Sequence, residues 1–195
     1  MQSYSQYLPL KSLNIINNWI DDLSIEIIVV KKRTTKLGDF RVKGHRLFIT
    51  INEDLNKFSF LITLIHELSH AFVYVQYEKF IKPHGIEWKN MFKSKMHQFI
   101  ALNIFPDDIL QALEIHMLMP SASSCNDVNL SLALSKYDAI KQIFLSKIRE
   151  GECFIYGKDR VFIKQEKLRK RFKCQELLTK KIYLFNPLAP VKLFT

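Results

Sequence analysis

Cysteine is scarce and unpaired: Cys125, Cys153 and Cys174 are the only three in 195 residues, and no C-x-x-C occurs. This excludes a disulfide framework and a cysteine zinc knuckle, and it points to a reduced, cytoplasmic setting, with association to the nucleoid open. Glycine and proline are also few, five and six. A collagen-like or low-complexity chain is thereby ruled out, while 48% hydrophobic residues supply ample core. Acidic residues fall short of basic ones, 19 against 29, leaving a net charge of +10. Such a surplus favours polyanions, either nucleic acid or an anionic membrane surface. The opening MQSYSQYLPLKSLN lacks a basic start followed by an apolar run, so no secretory leader is expected. The long apolar stretch Phe58 to Tyr77 is interrupted by Thr63, His66, Glu67, Ser69 and His70. Ionisable groups at mid-membrane are costly, so the stretch reads as a helix buried in a soluble domain.

Along the chain, Tyr7, Leu10, Leu13, Ile16, Trp19 and Ile20 recur at helical spacing until Asp21 and Asp22 break the pattern. Ile25 to Val30 reads as a strand. Phe40–Val42 and Leu47–Ile51 read as two more, turning at Gly44. Asn52 or Asp54 is placed to cap the long helix or a short one before it. A second helix is expected over 86–100, and a third from Pro106 to about Met119. Pro120 to Asp127 is Ser-rich and reads as a loop or linker, while 130–148 is ambiguous between helix and strand. From Glu152 onward short strands alternate with turns. The expected organisation is α+β: a domain over 1–119, a connecting segment over 120–148, and a small basic β domain over 149–195.

The sharpest signal is His66-Glu67-Leu68-Ser69-His70. On a helix, positions i and i+4 share a face, so both imidazoles can meet one ion. Glu67 is then set to reach a water held by that ion. Imidazole nitrogen suits zinc, whose tetrahedral geometry leaves a fourth position open. The plain alternative is a pair of hydrogen-bonded core histidines. A catalytic zinc keeps three protein ligands. Val73 and Gln76 stand where a metzincin pattern needs Gly and His, so that branch fails. A downstream glutamate, Glu78 or Glu87, would complete a thermolysin-like set. His84, on a Pro-His-Gly turn that can fold back over the motif helix, is the favoured third ligand, with Glu87 as competitor. His97 and His116 read as surface or packing residues, and His45 as solvated.

The segments HELSHAFVYV and KPHGIEWKNMF resemble the SprT-like metallopeptidases, the group that includes Spartan. Thr35 to Phe40 and the strand Leu47–Ile51 resemble the sheet that precedes the motif helix in that family. The likeness covers about 1–118, and the tail is similar to that of bacterial SprT-like proteins. It implies a zincin-like fold, a small antiparallel sheet with helices, and one zinc on His66, His70 and His84. It further implies Glu67 as catalytic acid/base, Glu87 as support behind the ligands, and Trp88 packed behind the turn. Many members end in a zinc ribbon of paired C-x-x-C motifs; this chain has none, and no second zinc is expected.

Between Arg149 and Lys181 there are eleven Lys and Arg against five Asp and Glu. The densest part is Arg169-Lys170-Arg171-Phe172-Lys173. Strand alternation puts Arg171 and Lys173 on one face and Phe172 and Cys174 on the other. A solvated strand face is the plain reading. A phosphate-binding face of Arg160, Lys164, Arg169, Lys170, Arg171 and Lys173 is the functional one, giving sequence-independent, salt-sensitive contact with DNA. Phe154, Tyr156, Phe162, Tyr183 and Phe185 can stack on bases but read first as core. The expected function is a zinc metallopeptidase acting on DNA-bound or DNA-crosslinked protein. The alternative is a non-enzymatic nucleic-acid- or transcription-associated regulator that uses the fold as a scaffold.

Overall fold

The computed structural model describes residues 3–77, 81–120 and 127–194. The chain forms two compact units, 1–138 and 139–195.

The first unit is built around one helix. After two short 3-10 turns come α1 (Leu13–Leu23), β1 (Ile25–Val30), β2 (Gly38–Lys43), β3 (Arg46–Asn52) and α2 (Lys57–Tyr77), followed by α3 (Ile86–Ile100), α4 (Asp107–Leu118) and α5 (Val128–Ser135). α2 is long and apolar enough to cross a membrane by length and composition, and most of it is buried in this unit. Apolar on every side, it is a central helix and not an amphipathic one. Leu47, Ile49 and Ile51 of β3 are buried in the same core. α1 buries Ile16, Trp19 and Leu23, and Trp19 meets Phe72 of α2 and Phe99 of α3 edge-on, with centroids 5.6 and 5.3 Å apart. Asp21 and Asp22 do not end α1. They sit on its exposed side while Leu23 stays buried.

The sheet order is β1-β3-β2, and two expectations change here. The sheet is mixed, because β3 pairs antiparallel with β2 but parallel with β1. The α2 cap is Asn56, whose Oδ1 accepts from the N–H groups of Phe58 and Ser59 at 3.1 and 3.0 Å. A cap must directly precede the first helical turn. Asn52 is instead fully buried, donating to the carbonyls of Arg33 and Lys36 and accepting from Arg33 Nε, so that it pins the 31–37 loop.

The Ser-rich 121–126 stretch, with Cys125, lies outside the described residues. Within the segment expected to connect, α5 belongs to the first unit, with Leu130, Ala133 and Leu134 in its core, and Asp127 caps α5 by accepting from Leu130 N–H. β4 (Ile143–Phe144) belongs to the second unit.

The second unit adds β5 (Cys153–Tyr156), β6 (Arg160–Leu168), β7 (Arg171–Glu176), β8 (Ile182–Phe185) and β9 (Pro190–Leu193). They form an antiparallel sheet in the order β4-β9-β5-β6-β7-β8, with a bulge between Lys164 and Lys167. Its core is Leu145, Ile148, Phe154, Phe162, Cys174, Phe185 and Val191.

Candidate metal centre

Three devices bring the site together. The first is the α2 repeat, which stacks His66 and His70 on one face. The second is the turn before α3, where His84 takes a left-handed backbone, φ 59°. That conformation is uncommon for a non-glycine residue and costs energy that its surroundings must offset. Gly85 N–H closes the turn onto Lys82 O at 2.9 Å, and a Cβ at position 85 would lie 2.9 Å from that oxygen. The third is Trp88, in the first turn of α3 and almost fully buried.

Together these converge the imidazoles. His84 Nε2 lies 3.1 Å from His66 Nε2 and 3.0 Å from His70 Nε2. The three residues form a cluster that could bind a metal. Trp88 is the common wall: its ring centroid is 4.5 Å from His66, 5.2 Å from His70 and 4.7 Å from His84, and its indole N–H donates to His66 O at 3.4 Å. Behind it the wall continues. Phe92 stacks on Trp88 at 5.1 Å, His116 meets Phe92 edge-on, and His116 Nδ1 lies 3.0 Å from Asp127 Oδ2. His116 is therefore a buried packing residue, whereas His45 and His97 are exposed.

Burial holds the imidazoles neutral. It lowers His66 to about 2, aided by repulsion from His70 and His84. It lowers His70 to about 4, again with His84 contributing, and it lowers His84 as well. Neutral imidazole is the form that ligates metal.

Glu67 packs against the sheet. Its Oε2 accepts from Phe40 N–H of β2 at 3.0 Å. Burial pushes its carboxyl up to about 7, against the pull of that hydrogen bond. Gly38 makes the approach possible. A Cβ there would lie 2.7 Å from Thr63 Cγ2 and 2.9 Å from Glu67 Cγ and Oε1. Sequence reasoning missed both contacts, because a main-chain N–H has no side-chain signature. The one available signal was a glycine opening a strand, which marks a close backbone approach.

Other expected site residues stand elsewhere. No hydrogen bond joins Glu87 to the three imidazoles among the described residues. Its carboxylate reaches back toward Gly85 at the start of α3, where a negative charge complements the helix N-terminus. Glu78 lies outside the described residues. Lys164 must be withdrawn as a phosphate ligand. It is buried, its ammonium donates to Leu145 O at 3.0 Å and to Ile148 O, and it lies 3.8 Å from the Phe172 ring centroid. It shares a face with Phe162 two residues earlier, and that face is the core. Arg160 pairs with Glu176 at 2.6 Å and Lys173 with Glu166 at 3.0 Å. Arg169, Lys170 and Arg171 are exposed.

The SprT-like family model matches residues 11–108. That span holds α1, the sheet, α2 and α3, hence the whole histidine cluster and Glu67. No curated protein and no solved structure matches the chain.

Proposed function

The chain belongs to the SprT-like family, generally associated with metallopeptidase-like function, and from that premise we propose a zinc-dependent peptidase acting on DNA-associated or DNA-crosslinked proteins. One observation carries the reading: three imidazole nitrogens converge in a cluster that could hold one metal ion, with a buried carboxylate one residue from the first of them.

The donor set fits zinc. A proton on His84 Nε2 can serve only one of its two neighbours, so lone pairs are left facing each other at about 3 Å. Three nitrogens bound tetrahedrally at zinc distances stand about 3.3 Å apart, close to these separations. His66, His70 and His84 would hold the ion. When bound, zinc acts as a Lewis acid that polarises a carbonyl and lowers the pKa of water to about 7.

The chain's own part is proton handling. Glu67 takes the proton of the attacking water on a carboxylate oxygen and passes it to the leaving amine. Its raised affinity for a proton suits both steps near neutral pH. Phe40 N–H and the bare Gly38 backbone fix the carboxylate against β2 while it does so. Trp88 excludes water from the back of the cluster. The zincin-like reading of the fold rests on this same arrangement of sheet, motif helix and returning histidine.

The nucleic-acid half of the proposal is supported by charge. The second unit holds 14 Lys and Arg against 5 Asp and Glu, a net +9 of the chain's +10. The test of the whole is Glu67→Gln. It should cut cleavage of a DNA-bound protein about 10²–10⁴-fold, the usual weight of a general base, and leave one zinc per chain. Full turnover by that variant overturns the role given to Glu67, and no cleavage by the parent chain with zinc bound overturns the peptidase reading and leaves the regulator.

A further inference from the structure

We propose that the open edge of β8 on the second unit is a docking site for an extended, acidic segment of another protein, which adds to the sheet as a further strand.

The two edges of this sheet are built differently. At one end β4 has only two residues, and Pro190 stands opposite its Phe144. A short edge strand beside a proline leaves little for another chain to pair with. At the other end β8 reads Ile182-Tyr183-Leu184-Phe185, with no charge, proline or bulge. The ladder fixes which of its backbone groups are open. Glu176 N–H donates to Lys181 O at 2.9 Å, just beyond the paired residues Gln175 and Ile182. Along an antiparallel pair, residues alternate between bonding the neighbour and facing away from it. Tyr183 and Phe185 therefore bond to β7, while Ile182 and Leu184 turn N–H and C=O to the open side. Among the described residues no strand takes them up. Their side chains stand on the sheet face away from the core, 47% and 50% exposed. The pairing register puts the half-buried Ile155, Val161 and Ile163 on that same face.

Backbone chemistry and charge select the occupant. An open edge offers donors and acceptors in alternation, and another main chain supplies both in the same rhythm. A phosphate backbone or a lipid headgroup supplies acceptors without that ladder of donors. Charge then narrows the choice of main chain. Residues 177–195 include three Lys and no Asp or Glu. Lys180 and Lys181 are exposed at the start of β8, and Arg171, next to the Phe172 that pairs with Phe185, is exposed at its end. The nearest carboxylates are already engaged, Glu176 by Arg160 and Glu166 by Lys173. A segment with acidic ends and apolar residues between them meets a cation at each end and the apolar face in the middle. A second copy of this chain is disfavoured, because the unit carries +9. This surface goes beyond the proposed function and stands whether or not the metal centre cleaves.

The experiment uses the full chain carrying Glu67→Gln, so that no probe is digested. The probe is a short labelled peptide of alternating valine and threonine flanked by aspartates. Its controls are the same peptide flanked by lysines and an acidic version N-methylated at alternate backbone positions. Fluorescence anisotropy gives the affinities, and amide exchange read by NMR locates the contact. The acidic peptide should bind at least roughly tenfold more tightly than either control and should protect the Ile182 and Leu184 amides. Leu184→Pro removes one outward N–H and no bond to β7, so it should abolish binding while the unit stays folded, and Leu184→Val should retain binding. Equal binding of the N-methylated peptide, or binding that leaves the two amides unprotected, would reduce the contact to charge and overturn the docked strand. Protection of both amides without peptide, in a chain that sediments as a dimer, would make a second copy the occupant and overturn the acidic partner. If Leu184→Pro unfolds the unit, amide protection in the chain with Leu184 intact decides the matter alone.

Discussion

The two units carry opposite electrostatic designs. The first, residues 1–138, has 15 Lys and Arg against 14 Asp and Glu, yet it buries His66 and Glu67 in its middle. The second is strongly cationic, but its buried Glu176 is paired with Arg160 and its buried Lys164 is bonded to two carbonyls. Charge spread over a surface serves solubility and long-range attraction. Ionisable groups left without a countercharge inside a core are costly, and they persist where a cation or a proton is meant to complete them. The first unit is thus built around chemistry at one point, and the second around a field.

If that contrast holds, damage to the first unit should stay there. The largest effect is expected from Trp88→Ala, which empties the wall behind three imidazoles. It should cost about 3–5 kcal/mol of first-unit stability, read by hydrogen exchange in α2 and α3. Metal affinity should fall with it. Equal loss of protection in β5 to β8 would show that the units are not independent. Next comes metal itself. At zinc a hundredfold above its Kd, the same amides should gain about 2.7 kcal/mol, and His84→Ala should abolish the gain. A gain that survives His84→Ala would remove that histidine from the ligand set.

Gly38→Ala sharpens the contrast within the first unit. The added methyl meets Thr63 and Glu67, and overpacking of this kind costs about 1–3 kcal/mol. The carboxylate should be pushed off Phe40 N–H, so activity should fall while zinc stays bound. Unchanged turnover would show that β2 does not position Glu67.

These three positions also show what a sequence can disclose. His66 and His70 are legible because helical spacing alone puts them on one face, and His84 because proline and glycine bracket it. The strand Ile25–Val30 and the helix 86–100 are legible from β-branched and 3.6-residue patterning. The contact of Glu67 with Phe40 is not, since it joins a side chain to a backbone group 27 residues away. Nor is the burial of Lys164. Val161, Phe162 and Ile163 are apolar in succession, so alternation could not tell which face was the core. β9 begins at Pro190, a residue that argues against a strand except at its first position. The parallel pairing of β1 with β3 depends on where the 31–37 loop crosses, which Asn52 fixes from inside the fold.

Acid separates the two units as well. In metal-free protein, His66 and His70 titrate near 2 and 4 when folded and near 6.5 when unfolded. The unfolded chain binds more protons there, so the first unit loses stability as pH falls below 6.5. Glu67 acts in the opposite direction. Its folded value near 7 exceeds 4.5, so its contribution is present below 4.5 and fades as pH rises through 7. Glu67→Gln should therefore steepen the first unit's pH dependence between 4.5 and 6.5 by about 1.4 kcal/mol per pH unit, the slope of one proton. In the second unit, the Arg160 hydrogen bond holds Glu176 near 2, so that contribution is present above 4.5 and is lost only as pH falls toward 2. Acid titration followed by hydrogen exchange should open α2 before β6 and β7. The reverse order would mean that the buried histidines do not control the first unit's stability.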